Sequence, residues 1–246
     1  MLQQYTFEIN GLEVRAQYDS EDVENVFKPL LRRFQQIQQE AGRRIFVFLA
    51  APPGSGKSTL LAFLQDLANK MGISNLQTVG MDGFHYPKSY LQTHYTCRNG
   101  QRIRLTEIKG QKQTFDVSAL YDKLRESQQG DSLWPVYSRQ IHDPISDALL
   151  INKDIVILEG NYLLLGGRWK KLREFCDLSI LISCDHEVVR ERLIDRKFRG
   201  GVTMQQAIEW YEKSDSINVG VVLNESKDPD ILINYDGTRY QVAYGL

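Results

Sequence analysis

Ala51-Pro52-Pro53-Gly54-Ser55-Gly56-Lys57-Ser58-Thr59 lies between an apolar run, IFVFLA at 45–50, and a stretch in which Leu60, Leu61, Leu64, Leu67 and Ala68 share one helical face. An apolar strand, a glycine-rich turn and the start of a helix are the setting in which such a loop binds phosphate. Its glycines let consecutive backbone N–H groups curl around phosphate oxygens, and the helix N-terminus adds a favourable dipole. Lys57 is expected to reach the β- and γ-phosphates, and the Ser58 hydroxyl to ligate Mg²⁺. Pro53, Gly54, Ser55, Gly56 and Thr59 complete the expected phosphate-binding set. Ala51 stands where the pattern has its first glycine, and its methyl fits there if φ is negative.

Working outward from this loop, short apolar runs at 45–50, 76–80, 154–160, 178–184 and 230–235 alternate with helical patterns at 57–71, 116–128, 167–175, 186–197 and 203–215. Near-continuous apolar strands separated by helices predict a mostly parallel sheet covered on both faces. The expected class is therefore α/β, a three-layer sandwich carrying a phosphate-binding loop. Residues 5–18 alternate polar and apolar around Asn10-Gly11, which predicts a hairpin with a type I′ turn. Val23, Val26, Phe27, Leu30, Leu31, Phe34 and Ile37 then follow helical spacing, with Pro29 expected to kink or restart the helix. Residues 1–40 read as a hairpin-plus-helix extension, and residues 41–246 as the main domain.

Composition excludes several classes. The 246 residues are 42% hydrophobic, and 30 basic residues nearly balance 31 acidic ones, so a disordered chain or one with a basic excess for nucleic acid or membrane surfaces is not expected. No apolar run reaches the roughly 18–20 residues of a membrane span. The N-terminus lacks the basic-then-apolar pattern of a secretory leader, which points to the cytoplasm. Cys97, Cys176 and Cys184 are odd in number and form no C-x-x-C pair, so each is expected to be a small apolar residue rather than a disulfide or zinc ligand. Trp134, Trp169 and Trp210 are likewise expected to pack. Oligomeric state is not legible, and a homodimer stays open.

Ligands of open α/β sheets bind beyond the carboxyl ends of the strands, and two acids fall there. Glu159 ends DIVILEG and is suited to hold Mg²⁺ directly or through its water. Asp82 follows LQTVGM and is suited to accept the proton of an attacking hydroxyl. The alternative for each is a carboxylate that caps the next turn.

Four further segments occur in order: Met81-Asp82-Gly83-Phe84-His85-Tyr86-Pro87; Lys109-Gly110 with Thr114-Phe115-Asp116; Pro135-Val136-Tyr137-Ser138-Arg139; and Leu158-Glu159-Gly160-Asn161-Tyr162. Together with the loop they resemble the P-loop kinase family of uridine kinase, pantothenate kinase and phosphoribulokinase, closest to its nucleoside/nucleotide kinase-like branch, over residues 44–235. The resemblance implies ATP-dependent phosphorylation of a small-molecule hydroxyl, with Asp82 as base and ATP and Mg²⁺ as cofactors. It further implies that Tyr137 and Arg139 face the acceptor, joined by His85 and His142, whose alternative is an ordinary loop histidine. The segment VVRERLIDRKFRGG resembles the family's helical lid. Arg192, Arg196 and Arg199 share one face of it, Arg196 and Arg199 being the expected phosphate contacts and Gly200-Gly201 the end of the helix. Pairing with Glu191 and Asp195 is the competing role for those arginines. Residues 218–230, starting at Asn218, fall where relatives place a loop beside the adenine. Residues 86–113 are expected to line or cover the acceptor pocket, with Arg98, Arg102 and Arg104 hinting at an anionic acceptor. A second functional class, a nucleotide-dependent switch or assembly ATPase acting on a protein partner, stays open beside the kinase.

Overall fold

The computed structural model describes residues 1–9, 12–98 and 100–246. Two compact units emerge, Met1–Val79 with Lys153–Leu246, and Gly80–Asn152.

The first unit opens with the antiparallel strands β1 (Leu2–Ile9) and β2 (Leu12–Asp19). Their connecting residues, Asn10-Gly11, lie outside the described residues. A helical run follows: α1 (Ser20–Asp22), a π turn at Val23–Phe27, and α2 (Lys28–Ala41). In the π turn the Lys28 N–H bonds to Val23 O, five residues back. The wider turn ends two residues before Pro29, which has no N–H to continue an α-helical ladder. Pro29 thus restarts the helix within its first turn. Next come β3 (Ile45–Ala50), α3 (Lys57–Lys70) and β4 (Leu76–Gly80).

The chain then enters the second unit. It contains a 3-10 turn at Met81–Phe84, α4 (Lys88–Thr93), the hairpin β5 (Tyr95–Arg98) and β6 (Gln101–Arg104), α5 (Val117–Gln129), and the hairpin β7 (Ser132–Ser138) and β8 (Asp143–Ile151). Trp134 is fully buried, meets Phe84 edge-on, and donates its indole N–H to Ser127 Oγ at 2.6 Å. A Cβ on Gly83 would fall 2.1 Å from the Pro135 carbonyl oxygen, so only glycine allows the 3-10 turn to lie this close to β7.

The chain re-enters the first unit with β9 (Ile155–Glu159), a 3-10 segment at Gly167–Phe175, and β10 (Cys176–Cys184). There follow α6 (His186–Arg199), α7 (Met204–Trp210), a π turn at Tyr211–Asp215, α8 (Ser216–Glu225), β11 (Ile231–Tyr235) and β12 (Tyr240–Tyr244). The six-stranded sheet has the order β12-β11-β10-β3-β9-β4. The pairs β11–β10, β10–β3 and β3–β9 are parallel, and β12 runs antiparallel to β11. All six residues of β3 are buried, as expected of a central strand covered on both faces. Ile45, Val47 and Leu49 join Leu31 and Phe34 of α2 and Leu64 of α3 in one core, while Phe46 and Phe48 alternate to the other face. The result is the expected three-layer α/β sandwich.

Three local expectations are corrected. Residues 218–225 are helical, as part of α8, rather than a loop. Trp210 is 54% exposed beneath the Lys197 ammonium, 4.0 Å above its ring, instead of packing inside. Cys184 is buried as expected, but Cys97 is exposed. Among the described residues no helix is long and apolar enough to cross a membrane.

Candidate active site

β3 delivers the loop at its carboxyl end. Ala51 is fully buried and has none of the left-handed φ that would demand glycine, which explains its tolerance there. Gly54 and Gly56 do need that freedom, at φ +82° and +90°. A Cβ on Gly54 would also meet Leu193 Cγ at 2.8 Å. Gly56 is the N-cap of α3 and no side chain caps that terminus, so the first N–H groups point to the loop with no intrahelical acceptor. Ser55 Oγ is buried with no hydrogen-bond partner among the described residues. Such an orphan is costly unless a ligand satisfies it, and a phosphate oxygen in the loop is a fitting acceptor. Lys57 folds back to donate to Pro52 O at 3.1 Å.

Glu159 ends β9, the strand beside β3, in register with Leu49. There it accepts a hydrogen bond from Ser58 Oγ at 3.2 Å. A hydroxyl and a carboxylate side by side are the hard oxygen donors that Mg²⁺ takes alongside phosphate and water. From α6, Arg192 reaches the same loop, donating from Nη1 to Ser55 O at 3.4 Å and from Nη2 to Tyr235 Oη at 2.5 Å and Gly237 O at 3.1 Å.

The second unit gathers its own cluster. Asp82 lies exposed in the 3-10 turn, and its carbonyl accepts from His85 Nδ1 at 2.8 Å. The His85 ring lies 3.9 Å from that of Phe115 and 5.1 Å from that of Tyr137. Burial holds the imidazole below the usual histidine range, opposed by the Asp82 charge and helped by Lys109. Lys109 Nζ sits 5.2 Å above the Tyr137 ring and donates to His142 O at 2.7 Å. His85, Tyr137 and His142 are therefore brought together, with Lys109 as the link. Arg139 is exposed beyond the end of β7.

A phosphate loop after the central strand, with a Ser–Glu pair at its helix end, defines a nucleotide-handling site but not its family. The profile of the phosphoribulokinase/uridine kinase family matches residues 46–234. The chain belongs to that family. It is an ATP-dependent small-molecule kinase. The kinase is 44% identical over 228 residues to the uncharacterized protein YggC of Escherichia coli strain K12, covering 92% of each chain. It is 26% identical to a pantothenate kinase of Shewanella sediminis, over 89% of this chain and 78% of that one. The crystal structure of YFH7 from Saccharomyces cerevisiae superposes with a TM-score of 0.71 at 18% identity, over 87% of this chain and all of that one. At that identity the likeness speaks for the fold.

The remaining sequence candidates of the kinase fall elsewhere. Arg199 is paired with Asp195 at 2.7 Å, four residues back on α6, which is the competing role. Arg196 lies beside Asp215, whose carboxyl is raised by burial and eased by Arg196 and Lys197. Arg192, on the same face but outside the contacts expected of the lid, bonds to the loop. Asn218 is buried within α8. Arg102 and Arg104 both approach the Tyr95 ring, at 4.0 and 5.4 Å, across the β5–β6 hairpin. Lys109 was legible only as part of the Lys109-Gly110 motif, because nothing in its neighbours marks which side chains it bridges.

Proposed function

We propose that this kinase moves the γ-phosphoryl group of Mg·ATP to a hydroxyl of a small acceptor. The observation carrying this reading is the Ser58–Glu159 pair, 3.2 Å apart, at the uncapped start of α3. The backbone of residues 53–59 would hold the phosphates, with Lys57 turning from Pro52 O to the β- and γ-oxygens. Ser58 and Glu159 would hold Mg²⁺, which neutralises charge on the phosphates as transfer proceeds. Asp82 would take the acceptor's proton as its oxygen bonds to the γ-phosphorus and the bond to the ADP oxygen breaks. Positive charge from α6 would stabilise the transferring group. Arg192 is the candidate in the present geometry, and Arg196 and Arg199 are candidates if the helix closes further.

His85, Tyr137, Arg139 and His142 would orient the acceptor. Their mix of aromatic faces and hydrogen-bonding groups suits a polyol, nucleoside or pantothenate-like molecule. The test is ADP release from Mg·ATP against pools of nucleosides, nucleotides, pantothenate, sugars and sugar phosphates, with Asp82→Asn in parallel. Acceptor-dependent release that disappears in the variant, while ATP binding persists, is the expected result. Undiminished transfer by the variant removes Asp82 from the mechanism, and ADP release indifferent to every pool removes the proposed acceptor chemistry.

A further inference from the structure

A cavity of about 490 Å³ opens beside the phosphate loop, within the first unit. That is within the roughly 300–1,000 Å³ range of small-molecule sites. Its loop wall is Ser55, Gly56 and Thr59, while Lys57 and Ser58 do not line it. Among its described lining residues there is no carboxylate, and Arg192 and Arg15 are its cations. The end of a nucleoside triphosphate that undergoes chemistry needs Lys57, the Ser58–Glu159 pair and an acid. This cavity therefore faces the other end.

The wall opposite the loop is the N-terminal hairpin, which precedes the family match at residue 46. Five consecutive residues of β2, Val14 to Tyr18, border the cavity. Side chains alternate across a strand, so an unbroken run means that the edge of β2 borders the cavity as well as the hairpin face that carries Leu2, Gln4 and Gln17. Among the described residues β2 pairs only with β1, which leaves its outer edge with alternating N–H donors and C=O acceptors. Gln4 and Gln17, direct cross-strand partners, add two amides to this wall. Tyr235 and Tyr240, buried and stacked on each other at 4.3 Å between ring centroids, also line it, and the Arg192 guanidinium, 5.0 Å over the Tyr235 ring, supplies a planar surface. Donor–acceptor edges and planar faces are the chemistry that reads a nucleobase.

The hairpin is held in place. Tyr18 stacks on Phe63 of α3 at 4.0 Å. Just beyond β2, Asp22 accepts from Arg239 Nε at 2.8 Å and from the Tyr240 N–H at 2.9 Å, tying the hairpin's base to the β11–β12 turn.

We infer that the β1–β2 hairpin is the wall of the nucleoside pocket, so that nucleotide recognition in this kinase depends on residues outside the family's shared core. The inference rests on the proposed role of the loop. Mg²⁺-dependent binding of ATP and of inorganic tripolyphosphate, which lacks the nucleoside, separates the two claims. Gln17→Trp and Gln4→Trp each place an indole at an exposed position on the pocket wall, and either one that stays folded by circular dichroism carries the test. The expected result is ATP affinity weakened by about tenfold or more with tripolyphosphate affinity kept within about twofold. Unchanged ATP affinity overturns the inference. So does an equal loss for both ligands, or an effect confined to the KM of the acceptor. A wild-type protein that binds neither ligand overturns the reading of the loop, and this inference with it.

Discussion

Gly54 combines a left-handed φ of +82° with Leu193 pressed against the space a side chain would need. Both effects oppose Gly54→Ala, which is expected to lower unfolding free energy by about 1–3 kcal/mol, read from denaturant midpoints. The same contact joins α6 to the loop, so the variant should also weaken tripolyphosphate binding. His85 makes a prediction in pH. Burial depresses its pKa in the folded protein, against the attraction of Asp82, so the unfolded chain binds the proton more readily. The stability contributed by the neutral ring is complete above the ordinary histidine value of about 6.5 and is lost as the pH falls through the lower folded value. Unfolding midpoints should therefore drop on acidification from about pH 7 to pH 5, and His85→Asn should flatten that slope. An unchanged slope would mean that the ring titrates equally in both states.

At the scale of elements, the junction of β9 with the start of α3 makes the sharpest prediction. Glu159→Gln keeps the shape but removes the charge next to Ser58, and should raise the Mg²⁺ concentration needed for turnover by about 10- to 100-fold. In the second unit, the 3-10 turn at Met81–Phe84 rests on β7 through Gly83. Gly83→Ala would drive a methyl into the Pro135 carbonyl, and should speed proteolytic cleavage within residues 80–152. The elements themselves were unevenly legible. Buried parallel strands are apolar on both faces, so β3 and β9–β11 stood out as runs, and β4 only as the short LQTVG segment before Met81. The strands β5 to β8 and β12 did not: β8, Asp143–Ile151, is mostly exposed and its apolar run, Ala148–Ile151, is confined to one end. Residues 218–225 hold a helix through burial of Asn218, Val219 and Val222, a tertiary contribution that overrides the glycine and β-branched content of that stretch.

For the whole molecule, binding and stability are linked. A nucleotide present at about 100 times its Kd should stabilise the native state by about 2.7 kcal/mol, or roughly 5–10 °C in Tm for a chain of this length. Lys57→Ala should abolish the Mg·ATP-dependent rise while leaving the ligand-free Tm nearly unchanged, and a full rise in that variant would show that the nucleotide binds elsewhere. The sequence by itself determined the α/β class, the loop after β3, the acid at the end of β9 and the order of the central elements. Each follows from local chemistry: hydrophobic periodicity, glycine where φ must be positive, and a carboxylate at a strand's end. Only the tertiary structure decided that Arg192 rather than Arg196 or Arg199 meets the loop, because the rotation of α6 about its axis is set by Leu193 packing onto Gly54. It alone also decided that the N-terminal hairpin borders the loop's cavity. That placement comes from Tyr18 on Phe63 and Asp22 on Arg239, contacts between residues up to 217 positions apart that no local pattern encodes.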